Sequence, residues 1–490
     1  MPFIKRALLG ALIFFTSLNS LLAEPTPNFQ GQTIRVGVMD ASAIGAPATV
    51  HARSWEQRTG GRVNVDKFAF QDLFKTFNQA IQDKTPAFDV IFYAPAWAGD
   101  FADHLQPVPL ALRDAEHFID IHPTYRDRLM HWGDEMIAVT VDGDLFLGYY
   151  RTDLFANRKN RIDFKSRYGY PLAPPATWRH YRDIAEFFTG RQRPNGHQLY
   201  GVAEAFKRGG QQFWDLFSRA AAYTNAPEQP GGQFFDPETM QAQINNPGWV
   251  QATTDYKEAL SFAPPHAIDF GIVEARKAFL SGQTAMILDW ADTATLAPDE
   301  KNSQVAGRVG YFTLPGADRV WNGRWKTYTP PHQTTFLAFG GWVASVPKNS
   351  QAKQAAWDYI MWYASPENSL ADVVTSGTGI NPYRESHFIA IDRWLGTLSL
   401  PSASNFLGVI QQSLDAPHVA LDLRLPGFHQ YTEALETELD TILRGKQPIQ
   451  AGLDRVAQQW EIITDKLGRD KQRQHYRSSM GLSNSEGEEP

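Results

Sequence analysis

Apolar and polar positions along the chain change period repeatedly, and each change marks an element. Residues 33–38 (Thr33-Ile34-Arg35-Val36-Gly37-Val38) alternate and predict a strand. A helix follows over 50–59, stopped by Gly60-Gly61. Val63-Asn64-Val65 predicts the next strand, and 70–83 places Leu73, Phe74, Phe77 and Ile81 on one helical face. Residues 88–93 (Phe88-Asp89-Val90-Ile91-Phe92-Tyr93) predict a third strand. Strand, helix, strand, helix, strand is the order of a parallel α/β sheet, whose ligands sit at the carboxyl ends of the strands. Asp40, Ser42, Tyr93 and Trp97 fall there by pattern alone.

The later chain continues in the same style. It predicts a strand over 145–150 and a helix over 178–188 with Thr177 as its N-cap. A helix over 273–280, a short buried strand over 285–288 and a helix over 352–363 follow, with an apolar, Gly-containing run at 336–346. Amphipathic helices are expected over 431–443 and 453–467, and the polar, charged tail 468–490 is expected to be disordered. No internal repeat is apparent.

Length and composition narrow the picture. A chain of 490 residues exceeds one ordinary core, so two domains or one bilobal unit are expected. Lys5 and Arg6 precede an apolar run at 7–15 too short to span a bilayer, and Ala23 closes a cleavage site, so 1–23 reads as a signal peptide. The chain has no cysteine, which excludes disulfides, thiolate metal sites, a catalytic thiol and a lipid-bearing Cys. An exported protein without a lipid is expected free in a Gram-negative periplasm. The net charge of −7, without a basic patch, argues against nucleic acid and anionic membranes as partners. The 13 histidines lack ligand spacing, so neither a metal nor another cofactor is expected. There is no Gly-x-Ser-x-Gly elbow, His-Glu-x-x-His or P-loop. A glycan hydrolase, the rival class, needs carboxyls on opposite sides of the scissile bond, whereas Asp142 and Asp144 lie side by side.

Several segments together resemble extracellular solute-binding protein family 1, the maltose-binding-protein-like components of ABC transporters. Residues 147–155 (Leu-Gly-Tyr-Tyr-Arg-Thr-Asp-Leu-Phe) resemble the family's YYN-x-DLF segment, with Arg151 in place of the common Asn. Pro175-Ala176-Thr177-Trp178 is similar to its P-x-TW helix start, and 278–286 to its AF-x-x-G-x-AM run. Gly340-Gly341-Trp342 and 379–384 resemble its return crossing and its late G-x-x-P-x-R loop. The resemblance implies an α/β, two-lobed periplasmic-binding-protein fold of type II, each lobe a mostly parallel sheet flanked by helices. It implies lobe one at 31–140 and 343–392, and lobe two at 141–339 and 400–467. It also implies a monomer that closes like a hinge on a small solute, a sugar or polyol, and docks on an ABC permease in the inner membrane.

A sugar site needs aromatic faces for C–H surfaces and planar polar groups for hydroxyls. Tyr93 matches the family's cleft aromatic, with a core tyrosine as the plainer reading. Asp142-Gly143-Asp144 falls at the first crossing and either turns both carboxylates to one ligand or forms a solvated turn. Asp289-Trp290 approximates the family's stacking Trp, and Trp214 lies in a second aromatic segment. Gly341 and Trp342 lie at the return crossing, and His429 and Tyr431 fall where maltose binders place a late aromatic. These candidates include acids but no clear Arg or Lys, which leaves neutral sugars, polyols or cationic amines as ligands.

Overall fold

The computed structural model describes residues 27–482 except 41–42, 84, 114–115, 194 and 418. The signal-peptide reading, Ser42 and the last eight residues lie outside the described residues.

The first sheet runs Arg62–Phe68, Thr33–Met39, Val90–Tyr93, Val343–Ser345, Val139–Thr140. Its first three strands are parallel, and the alternation read from the sequence buries Ile34, Val36 and Val38 completely. The helix Phe70–Gln82 turns Leu73, Phe77 and Ile81 onto this sheet. The helix Gly45–Thr59 starts earlier than its apolar pattern suggests, because Pro47 is tolerated in a first helical turn, and it stops at Gly60 (φ 74°).

The second sheet runs Val309–Phe312, Phe146–Arg151, Thr284–Trp290, Tyr200–Ala203. Thr177 caps the helix Trp178–Phe188 by accepting from the backbone N–H of His180 at 3.2 Å. At the centre of this lobe the helix Gln212–Thr224 is buried along its whole length.

In strand sense both sheets are mostly parallel, with one reversed strand each: Val343–Ser345 runs antiparallel to both neighbours in the first, and Phe146–Arg151 runs antiparallel to both neighbours in the second. The cause is the connectivity, since a chain that leaves one lobe and returns to it re-enters in the opposite direction. One expectation is corrected: within the tail expected to be disordered, Arg469–Ser479 is a helix. Its Gln472, Tyr476 and Ser479 form a buried stripe at helical spacing, and the Tyr476 hydroxyl donates to the Gly231 carbonyl at 2.5 Å. Its overall polarity concealed this short stripe.

The segments joining the lobes are zipped by backbone hydrogen bonds. Val141 N–H donates to the Trp342 carbonyl at 2.9 Å, and Trp342 N–H returns to the Asp142 carbonyl at 3.3 Å. Gly341 has φ 90°, and a Cβ there would stand 2.0 Å from the Asp142 carbonyl oxygen. Among the described residues no helix is long and apolar enough to cross a membrane.

Candidate functional site

Between the two sheets lies a cavity of about 150 Å³, built from both lobes and both crossings. Trp214 reaches it from the buried helix, Trp290 from the carboxyl end of Thr284–Trp290, and Trp342 from the return crossing. Phe70 and Phe339 complete an aromatic wall: Trp214 meets Trp290 edge-on at 5.5 Å and Phe339 at 5.3 Å, and Phe339 meets Trp342 at 5.3 Å. Phe339 holds φ 63°, a left-handed backbone uncommon for a bulky residue. Its N–H donates to the buried Asp422 at 3.3 Å, and the Trp214 indole donates to the same carboxylate at 2.6 Å. One carboxylate therefore aims two aromatic faces.

The polar edge is made by Asp144, Gln211, Arg276 and Asp292. Arg276, on the helix Ile272–Leu280, forks onto Asp289 (2.7 and 2.9 Å) and Asp292 (3.0 and 2.9 Å). Asp289 is fully buried behind it and also accepts from the Trp290 N–H and the Thr293 hydroxyl. Burial pushes the Asp292 carboxyl up, and Arg276 opposes the shift. The Gln211 side-chain oxygen is buried without a hydrogen-bond partner.

The Asp142-Gly143-Asp144 segment is no solvated turn. Asp144 lines the cavity, while Asp142 is fully buried beneath it and accepts from Asn381 N–H (2.6 Å) and Nδ2 (3.2 Å). Asn381 Nδ2 also donates to Asp144. Burial pushes Asp142 up to about 7 and, with the charge of Asp142 beside it, Asp144 well above the usual carboxylate range. The pair favours holding a proton, so this corner can both donate to and accept from a hydroxyl. Gly143 permits the packing, since a Cβ there would stand 2.6 Å from that of Tyr383.

Of the sequence candidates, the fold brings Asp144, Trp214, Trp290 and Trp342 to the cavity, with Asp142 and Asp289 directly behind. Gly341 contributes backbone only. Asp40 is exposed, next to the cavity-lining Met39. Tyr93 is buried against Ser345 (3.1 Å), its hydroxyl pushed up to about 12 by burial. Trp97 packs among Phe70, Phe74 and Phe101. His429 packs on Phe74 at 4.0 Å, and burial pulls its imidazole down to about 4. Tyr431 belongs to the core of the second lobe, bonded to Thr464 at 3.0 Å. Sequence reasoning missed Phe70, Gln211, Arg276, Asp292 and Phe339. The expectation that the site lacks an arginine is corrected by Arg276, whose helix lies in the same stretch as the 278–286 motif. The signal was present in the spacing of Asp289 and Asp292, which suits one guanidinium fork.

Residues 52–387 match the family model described as bacterial extracellular solute-binding protein. A mannitol-binding protein of Pseudomonas aeruginosa is 26% identical over 280 residues, covering 55% of this chain and 56% of that protein. The chain thus spans little more than half the length of that relative. A solute-binding protein of an ABC transporter from Agrobacterium radiobacter K84, in complex with ribitol, superposes with a TM-score of 0.68 at 22% identity, covering 89% of this chain and all of that one. Maltose-bound MalE3 of T. maritima superposes with a TM-score of 0.68 at 18% identity, covering 88% and 99%. Both structural likenesses establish the type II periplasmic-binding fold.

Proposed function

The chain belongs to the bacterial extracellular solute-binding proteins, and from that premise we propose that it is the periplasmic binding component of an ABC importer for a small polyol or monosaccharide. The observation that carries the reading is the cavity's composition: indole and phenyl faces on one side, a carboxylate–guanidinium edge on the other. Aromatic faces take the C–H surface of a polyol. Asp144 and Asp292 accept from its hydroxyls, and Arg276, already oriented by Asp289, donates to them. Closure of the lobes removes the ligand from water, which strengthens each of these bonds. The names of the mannitol- and ribitol-bound relatives point to the same class of ligand. The volume of about 150 Å³ suits a solute smaller than the usual drug-sized ligand.

The protein acts by capture and delivery, not by bond-making chemistry. Asp142 and Asp144 share one corner of the cleft and do not straddle a bond. Cleavage after Ala23 leaves a chain without a cysteine for a lipid, so the mature protein diffuses in the periplasm as a monomer and presents its closed form to the permease.

A thermal-shift screen with D-mannitol, ribitol, maltose, putrescine and amino acids tests the reading. A ligand at a hundred times its Kd stabilises by about 2.7 kcal/mol. A saturable rise in Tm with a polyol or monosaccharide is expected. A rise with putrescine or amino acids alone would replace the polyol with a cationic or zwitterionic solute.

A further inference from the structure

The residues after the strand Val419–Leu421, together with the first two of the helix Phe428–Leu443, occupy ground that the parallel-sheet rule gives to a ligand. This stretch, 422–429, is rooted in the second lobe at both ends. Val419–Leu421 pairs with Thr335–Leu337, and the helix is tied to the core through Trp460, whose indole donates to the Tyr431 carbonyl at 2.9 Å. Yet Arg424, Gly427 and His429 are seated on the first lobe. The Arg424 guanidinium is buried and donates to backbone carbonyls of Pro95 (3.2 Å), Arg128 (2.7 Å) and His131 (2.9 Å). Gly427 N–H donates to Asp100 at 2.9 Å, and His429 lies on Phe74 at 4.0 Å and on Trp97 at 5.6 Å. The fit leaves no slack: a Cβ on Gly99 would stand 2.6 Å from the Pro426 backbone nitrogen. Beneath the stretch lies the carboxyl end of Val90–Tyr93 with Trp97, so these aromatics touch protein where a longer cleft would offer them to a ligand.

We propose that residues 422–429 are a plug that closes one end of the interlobe cleft and sets the length of the ligand, so that the protein accepts a single polyol or monosaccharide and rejects chains of linked sugars. The proposal rests on the polyol reading for its ligand class but not for the plug itself. A second glycosyl unit would need the space taken by Arg424 and His429. Arg424 gives up several charge-assisted hydrogen bonds if it leaves, and its carbonyl partners would stay buried without donors. The plug does not line the cavity itself but stands directly behind its aromatic wall, since Asp422 accepts from Trp214 and Phe339 and His429 lies on Trp97, which meets Phe70 at 6.2 Å. It also stands beside the pivot, because Asp422 at its start accepts from the N–H of Phe339 in the return crossing.

Two measurements on the wild-type protein and one variant test this. Calorimetric titration with D-mannitol, ribitol, maltose and maltotriose is expected to give a polyol affinity at least about a hundredfold above that for either maltooligosaccharide. Hydrogen exchange followed by mass spectrometry is expected to show slow exchange in a peptide covering 422–429 without any ligand. Gly99→Ala acts as a wedge under Pro426. It is expected to speed exchange in that peptide by at least about tenfold and to bring maltose binding into the measurable range. Equal affinity of the wild type for mannitol and maltotriose, or exchange of 422–429 in the free protein at the rate of an open chain, overturns the plug. If no polyol or sugar gives heat, the ligand class proposed above is wrong, and the exchange rate alone decides whether the plug is seated.

Discussion

Two carboxylates one residue apart do different work here, and side-chain direction decides which. Asp144 faces the cavity, whereas Asp142 is spent on Asn381. Asp144→Ala is expected to weaken ligand binding about five- to hundredfold, since a ligand hydroxyl left unpaired in the closed site costs about 1–3 kcal/mol, with little change in Tm. Asp142→Ala leaves the Asn381 backbone N–H unpaired in the interior and is expected to cost about 1–3 kcal/mol of stability in urea melts. Asp422 supplies a pH test. Burial pushes its carboxyl up to about 7 from 3.8, so the folded chain keeps a proton that the unfolded chain releases. Its contribution is complete below the lower value, declines as pH rises, and levels off above about 7. Asp422→Asn cannot titrate, so the stability gap between variant and wild type is expected to move in the variant's favour, by on the order of a few kcal/mol, between acid and neutral pH. Melts of both proteins across that range read it; a constant gap would mean that Asp422 does not titrate there. At this scale the sequence placed Trp214, Trp290, Trp342 and Asp144 at the cavity, because tryptophans and a crossing-strand acid can be located by order along the chain. Phe70 and Phe339 could not be read the same way. A phenylalanine in an amphipathic helix or an apolar run looks like core, and only the left-handed backbone at Phe339 turns it into the cleft.

Elements were legible where period and punctuation agreed. Thr177 before an apolar-periodic run gave the helix Trp178–Phe188 to the residue. Thr177→Ala should cost roughly 1 kcal/mol of stability through the lost cap, with ligand affinity unchanged. An affinity change of tenfold or more would mean that this helix moves with the cleft. The hairpin Ala317–Trp321 with Trp325–His332 went unread because Pro330 and Pro331 argue against a strand. Among the described residues that strand pairs only with Ala317–Trp321, which resolves the conflict. The apolar run at 336–346 looked like one continuous strand. Three successive left-handed residues, Phe339, Gly340 and Gly341, break it into Thr335–Leu337 and Val343–Ser345. The misplacement of Tyr93 and His429 has the same kind of origin. Chain order put both near the cleft, but His429 belongs to 422–429, which packs onto Phe74 and Trp97 instead of facing the cavity, and no local pattern announces a segment that folds back from the other lobe.

At the scale of the molecule, the lobes meet at the far rim of the cavity as well as at the plug. The Ser376 hydroxyl of the first lobe donates to the Thr295 carbonyl of the second at 2.7 Å. With the plug beside the pivot, opening should break the rim contact and leave the plug seated. Small-angle scattering is expected to give a smaller radius of gyration with saturating mannitol than without, and an unchanged radius would mean that the cleft does not open. The bilobal plan was legible in the order of five short segments, whereas the sense of each strand was not, because strand direction follows from where the chain re-enters a lobe. That re-entry has a consequence for how the protein is made. Val343–Ser345 lies between Val90–Tyr93 and Val139–Thr140, so the first sheet stays incomplete until more than two-thirds of the polypeptide has been synthesised. The helix Arg469–Ser479 similarly withholds Tyr476 from the second lobe until synthesis is nearly over. Neither half can mature by itself behind a ribosome, and pairings between distant parts of a chain form slowly. Such a polypeptide remains threadable through a narrow channel for as long as it is being made.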